Sequence, residues 1–309
     1  LIRPKEPRLH LRWVHRTNFS RSWSQPPPPL ASLQQGMRRH PGLRCSGAAA
    51  GEAFCGAPDD PLCSGARTGI AGYPPDGDRL RQTCELLSVE YELYPNTFFS
   101  AIGLTNFIFC EQLNYNRQRR RDVPEMQSGR FYIDVGDRPP RRKRHSFHHE
   151  LFHMLDYELR GADFTNPDAE WEAHNPPGFC YGEGGKHMRG DHDATYLASS
   201  PGDAFLNRYC TSAIVEDKAE MWAAMMCYPQ ILRTAPLQSK AKLLRERALA
   251  ACPEMDSDWW QRTVESARLR TNYWEPTYGG NRGPQKWRNF VTGEVVANAP
   301  LSEKLMDQA

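Results

Sequence analysis

The sequence predicts an α+β fold on three observations. Short aromatic or β-branched runs come first in the globular region, helical periodicity follows them, and a Pro-, Arg- and Ser-rich N-terminal stretch has neither pattern. The 309 residues suffice for one large domain or two modest ones. Only 39% are hydrophobic, and the chain holds 23 Gly and 25 Pro, so part of it is expected to pack no core.

That part is residues 1–78, which read as an extended or disordered arm with a polyproline run at 26–29 and a low-complexity patch at 48–51. Its first fifty residues carry nine lysines and arginines against one acid, Glu6. Such a segment suits an organelle (mitochondrial) transit peptide, a basic arm that joins the chain to a larger complex, or a solvated tail. Secretion stands as the alternative compartment. Over the whole chain 39 basic side chains nearly cancel 37 acidic ones, which argues against a nucleic-acid partner. No run approaches eighteen apolar residues, so no membrane span is expected. The nine cysteines include no CxxC pair, which excludes a zinc ribbon and favours ordinary buried thiols.

The globular domain is expected over residues 79–270, with 271–309 as a tail. Runs 86–93, 104–110 and 130–135 are short and bounded by Pro, Asn and Gly, so each reads as a strand. Residues 117–121 (RQRRR) and 141–144 (RRKR) read as charged loops. Ser146 can cap a helix that ends before Gly161, a usual helix stop. Residues 161–206 form a loop-rich insert. Further helices are expected over 211–228, ended by Pro229, and over 237–251, with Asp256 capping a last one that carries Trp259 and Trp260.

The first of these helices carries the chemistry. His149-Glu150-Leu151-Phe152-His153 matches HExxH, a pattern that a chain of this size shows by chance roughly once in a hundred. Residues four apart project from one helix face, so two imidazoles can converge on one Zn2+. At about 100° per residue, with His149 at zero, His153 falls near 40°, Asp156 near −20° and Glu150 near 100°. Glu150 can therefore reach a water without being a ligand. Phe147, Leu151, Met154 and Leu155 fill the opposite, core-facing arc. His148 lies off the metal stripe and reads as a packed histidine. His145 is placed before the helix.

A catalytic zinc needs a third protein ligand. Glu216 and Glu220, four apart on the later helix between the small residues Ala213 and Ala223, can supply it. On that reading Glu216 coordinates the metal and Glu220 orients His149 from behind. The alternative is an exposed acidic face.

The two stretches HHELFHMLDY and EDKAE resemble the gluzincin-type zinc metallopeptidases, and more narrowly the anthrax lethal factor-like peptidases and a group of bacterial zinc-binding metallopeptidases. The insert WEAHNPPGFCYGEGG is also similar to that last group. The resemblance implies a zincin-like metallopeptidase domain, a small mixed sheet with an edge strand over the HExxH helix and a helical C-terminal part. It assigns Asp156 to the surroundings of the metal, and Tyr209, seven residues before Glu216, to the oxyanion or the leaving amine. Tyr209 reads otherwise as a core aromatic at a helix start. Residues 130–135 would be the edge strand that pairs with an extended peptide or protein substrate. The implied activity is hydrolysis of peptide bonds with Glu150 as general base. The alternative is a peptidase-derived, non-catalytic subunit of a larger assembly, anchored by its basic arm.

Overall fold

The structure, a computed structural model, describes residues 69–188, 191, 193–265, 267, 274, 286–289 and 291–297, and the backbone alone of 9–14, 43–48, 266, 268–270 and 275–276. Most of the arm expected over 1–78 lies outside the described residues. The chain divides into two compact units, residues 1–138 with 153–159, and 139–152 with 160–309.

The first unit is built on a mixed sheet. Strands β1 (Leu9–Val14) and β2 (Leu43–Ala48) pair in parallel, β3 is Ile70–Tyr73, β4 Asn106–Tyr115, β5 Gln118–Arg119, β6 Asp122–Glu125 and β7 Arg130–Asp134. The order is β2-β1-β4-β7-β6, with β3 and β5 also on β4. Strand β4 runs parallel to β1 and β7, while β6 is antiparallel to β7. Phe107, Ile108, Phe109 and Cys110 are buried in succession, the signature of a central strand covered on both faces. Two ion pairs fasten the outer strands. Arg119 reaches buried Asp134 at 2.9 Å, and Arg138 grips Asp122 at 2.8 and 3.1 Å.

Three expectations are corrected in this unit. Residues 86–91 are helical and 92–93 a turn, because 86–91 belong to α1 (Gly77–Tyr91), whose buried residues Leu80, Thr83, Cys84, Leu87, Glu90 and Tyr91 recur at three- and four-residue spacing. Its cap is Asp76, which accepts from the backbone N–H groups of Asp78 and Arg79, and a short helix α2 (Asn96–Ala101) follows it. Residues 130–135 are not an edge strand, since β7 is hydrogen-bonded on both sides and β6 lies outside it. The RQRRR run is partly strand, its first turn forming a hairpin of β5 with β4.

The second unit is mainly helical. Helix α3 spans Pro140–Arg160 and passes through both units, α4 is Ala169–Glu172, α5 Ile214–Cys227, α6 Ala235–Ala251 and α7 Ser257–Arg270. Phe152 packs against Trp222 at 5.4 Å between ring centroids, and Trp222 against Trp260 at 5.4 Å edge to face. Asp256 caps the last helix by accepting from the Trp259 N–H at 2.8 Å.

Two corrections belong here. Helix α3 begins six residues before Ser146, because Pro140 presets the φ of a first helical residue and lacks an N–H that would need a partner. The RRKR run is therefore helix and not loop. Part of the expected tail is folded: β8 (Trp274–Pro276), β9 (Trp287–Asn289) and β10 (Val295–Val296) form an antiparallel sheet in the order β10-β9-β8. Arg288 ties this sheet to the insert by its ion pair with Asp193 and by lying 4.0 Å over the ring of Tyr196.

Candidate metal centre

His149 sits on the third turn of α3 facing α5 and is buried, with a relative exposure of 7%. Its Nε2 lies 3.1 Å from Glu216 Oε2 and its Nδ1 lies 3.1 Å from Glu220 Oε1. The two carboxylates, one turn apart on α5, thus bracket one imidazole. The spacing of His153 from His149 is fixed by the unbroken helix they share. Ligand atoms of His149, His153 and Glu216 all lie within 4.8 Å of one another. Tetrahedral zinc at ordinary bond lengths separates its ligand atoms by roughly 3.3 Å, so the 3.1 Å between His149 and Glu216 already suits two atoms sharing one ion. Two imidazoles and a carboxylate are also a donor set that zinc accepts, so the residues fit the metal.

The charges are matched to one another. Burial alone would lower the His149 pKa, but hydrogen bonds to Glu216 and Glu220, with the charge of Glu150 nearby, raise it well above 6.5. Burial alone would raise Glu220, but His145 and His149 hold its carboxyl well below 4.5. Tyr209 has its ring centroid 6.4 Å from that of His149. Burial, followed by the charges of Glu216, Glu220 and Glu150, pushes its phenol well above 10, so it remains a hydrogen-bond donor at neutral pH. Glu150 is only partly buried. Asp156 is fully buried on α3 but belongs to neither converging group of ligand atoms among the described residues. His148 is fully buried.

Helix α5 is held in rotation by the charges between the two glutamates. Asp217 Oδ2, fully buried, accepts from Lys240 Nζ at 2.7 Å, Tyr181 Oη at 2.7 Å and Trp171 Nε1 at 2.9 Å. Lys218, also fully buried, meets Asp168 at 2.7 Å, and Arg247 binds the same carboxylate through two nitrogens. With Asp217 and Lys218 fixed on their side of the helix, Glu216 and Glu220 are left to face His149.

The insert contributes directly to this centre. Gly182 and Gly184 donate backbone hydrogen bonds to Thr211 and Ser212, just before α5. At Gly185 a Cβ would stand 2.3 Å from Tyr209 Oη and 3.0 Å from Glu216 Oε1, so any larger residue must push the Tyr209 hydroxyl aside.

Sequence reasoning missed His145. Placed on α3 by the earlier helix start, it bonds Glu220 Oε1 through Nε2 at 2.8 Å. The available signal was the spacing 145, 149, 153, which puts three histidines on one face. The buried partners of Asp217 and Lys218 were also missed, although two charges inside a helix of Ala, Met and Trp implied counter-charges. Among the described residues no disulfide joins any two of the six cysteines Cys84, Cys110, Cys180, Cys210, Cys227 and Cys252.

Comparison with protein-family models, curated proteins and solved structures finds no match to this chain.

Proposed function

We propose that the chain is a zinc-dependent peptidase whose metal is held by His149, His153 and Glu216. The observation that supports it is the bracketed imidazole, with one nitrogen beside a would-be ligand carboxylate and the other beside a second carboxylate. This is the pattern in which a ligating histidine is oriented from behind. Bound there, zinc supplies a Lewis acid that brings the pKa of a water toward neutrality. Glu150 takes the proton of the attacking water as it adds to a peptide carbonyl and delivers it to the leaving amine. Tyr209, kept protonated, donates its O–H to the developing oxyanion. Glu220, 3.1 Å from Nδ1, would favour the hydrogen of His149 there, leaving the Nε2 lone pair for the metal.

The test is Glu150→Gln, assayed for zinc content and for hydrolysis of an extended peptide library. Retained zinc with lost hydrolysis is the expected outcome. The close pass of Gly185 over Tyr209 and Glu216 favours a second reading, in which the metal is structural and the chain is a binding subunit of a larger assembly. Wild-type protein that binds zinc and cleaves no library member supports that second reading and overturns the first.

A further inference from the structure

The described residues contain a second convergence of ligand-type atoms beside the proposed centre, formed by His145, His149 and Glu220. Its contacts are those of a hydrogen-bonded relay. Glu220 Oε1 faces His145 Nε2 at 2.8 Å, and Glu220 Oε2 accepts from Asn207 Nδ2 at 2.7 Å. On the far side of the ring, His145 Nδ1 meets the hydroxyl of Tyr228. Asn207 is itself fixed, because its Oδ1 accepts from the Cys210 N–H at 3.1 Å.

Donor and acceptor chemistry sets the direction of every hydrogen. An ionised carboxylate only accepts, so Nε2 of His145 carries the hydrogen and donates to Glu220. In a neutral imidazole Nδ1 is then an acceptor, and Tyr228 is its donor. Glu220, a buried anion 3% exposed, thus receives one N–H from His145 and one from Asn207, while its Oε1 also lies 3.1 Å from His149 Nδ1. Removing the His145 donor leaves Oε1 without its hydrogen bond, beside His149 Nδ1 alone, and frees the carboxylate to turn.

We infer that His145, backed by Tyr228, is a positioning residue that sets the orientation and tautomer of the metal ligand His149 by fixing Glu220. This rests on the reading that His149 binds zinc. His145 touches neither metal nor substrate in this role, and its effect is on the affinity and symmetry of the metal site.

The test uses the full chain, with zinc affinity measured by competition against a chromophoric chelator and the d–d absorption of the Co2+-substituted protein recorded alongside. His145→Ala is expected to weaken zinc binding by about 10- to 100-fold, the usual effect of losing such an outer partner, and to alter the Co2+ bands. His145→Gln, whose amide can still donate to Glu220, is expected to recover most of the affinity. Tyr228→Phe is expected to give a smaller loss and carries the test if His145→Ala does not fold. Zinc affinity unchanged within about twofold in folded His145→Ala and Tyr228→Phe overturns the inference while leaving the zinc reading intact. So does a wild-type stoichiometry of two zinc ions that falls to one in His145→Ala, because His145 would then be a ligand. Wild-type protein that binds no zinc removes the zinc reading and this inference with it.

Discussion

At the residue scale the centre depends on the protonation of one histidine. The folded-state pKa of His149 is raised, so its contribution to stability in metal-free protein is present below 6.5 and lost as pH rises through the raised value. Glu220 is shifted the other way, and its contribution is present above 4.5 and lost as pH falls toward its depressed value. Metal-free protein should therefore gain most from this pair between about pH 4.5 and 6.5. Zinc must displace a proton from His149, so the stabilisation it confers should grow with pH. Thermal melts with zinc and with chelator at pH 5.5 and 8 check this, and a larger zinc-induced rise in Tm at pH 5.5 would contradict it. Tyr209→Phe should reduce kcat by on the order of 10²-fold with zinc content unchanged, as expected for loss of one oxyanion donor. Gly185→Ala should act in the same direction, because its methyl group must displace the Tyr209 hydroxyl. Steady-state kinetics beside metal analysis separates both from loss of the metal.

At the scale of elements, α5 is an apolar helix whose rotation is set by buried charges. Lys240→Met would leave Asp217 buried without its cation, and should cost about 3–5 kcal/mol, read as a lower urea midpoint. Asp217→Asn with Lys240→Met should cost less than Lys240→Met alone, because no unpaired charge remains. The sequence announced α3 and α5 because their signals are local: four-residue spacing of His149 with His153 and of Glu216 with Glu220, Gly161 after one helix and Pro229 after the other. It misled where a local signal had two readings. The run LLSVEYEL alternates well enough for a strand, yet Asp76 upstream caps a helix that carries it. Ser146 is a good cap, but Pro140 starts the helix earlier, and that difference of six residues hid His145. Whether residues 130–135 lie inside a sheet or at its edge depends on pairing with Asp122–Glu125, a non-local fact that composition does not encode. The three short strands after α7 escaped notice because two or three residues are too few for periodicity.

At the scale of the whole molecule, the sequence elements that define the proposed centre lie far apart: the HExxH turn, the insert that ends at Gly185, and the turn that carries Tyr209 into α5. Among the described residues no helix is long and apolar enough to cross a membrane. A metal shared by helices distant in sequence stabilises the fold by mass action, about 4 kcal/mol at a thousandfold excess over Kd. Chelation should accordingly lower Tm, and calorimetry before and after zinc is restored checks it. The central claim is that His149, His153 and Glu216 together hold one zinc ion. Elemental analysis of purified wild-type protein, Glu216→Ala and Glu150→Gln tests it most directly. One zinc per chain is expected in wild type and in Glu150→Gln, and its loss in Glu216→Ala. Zinc absent from the wild type, or fully retained in Glu216→Ala, would contradict it.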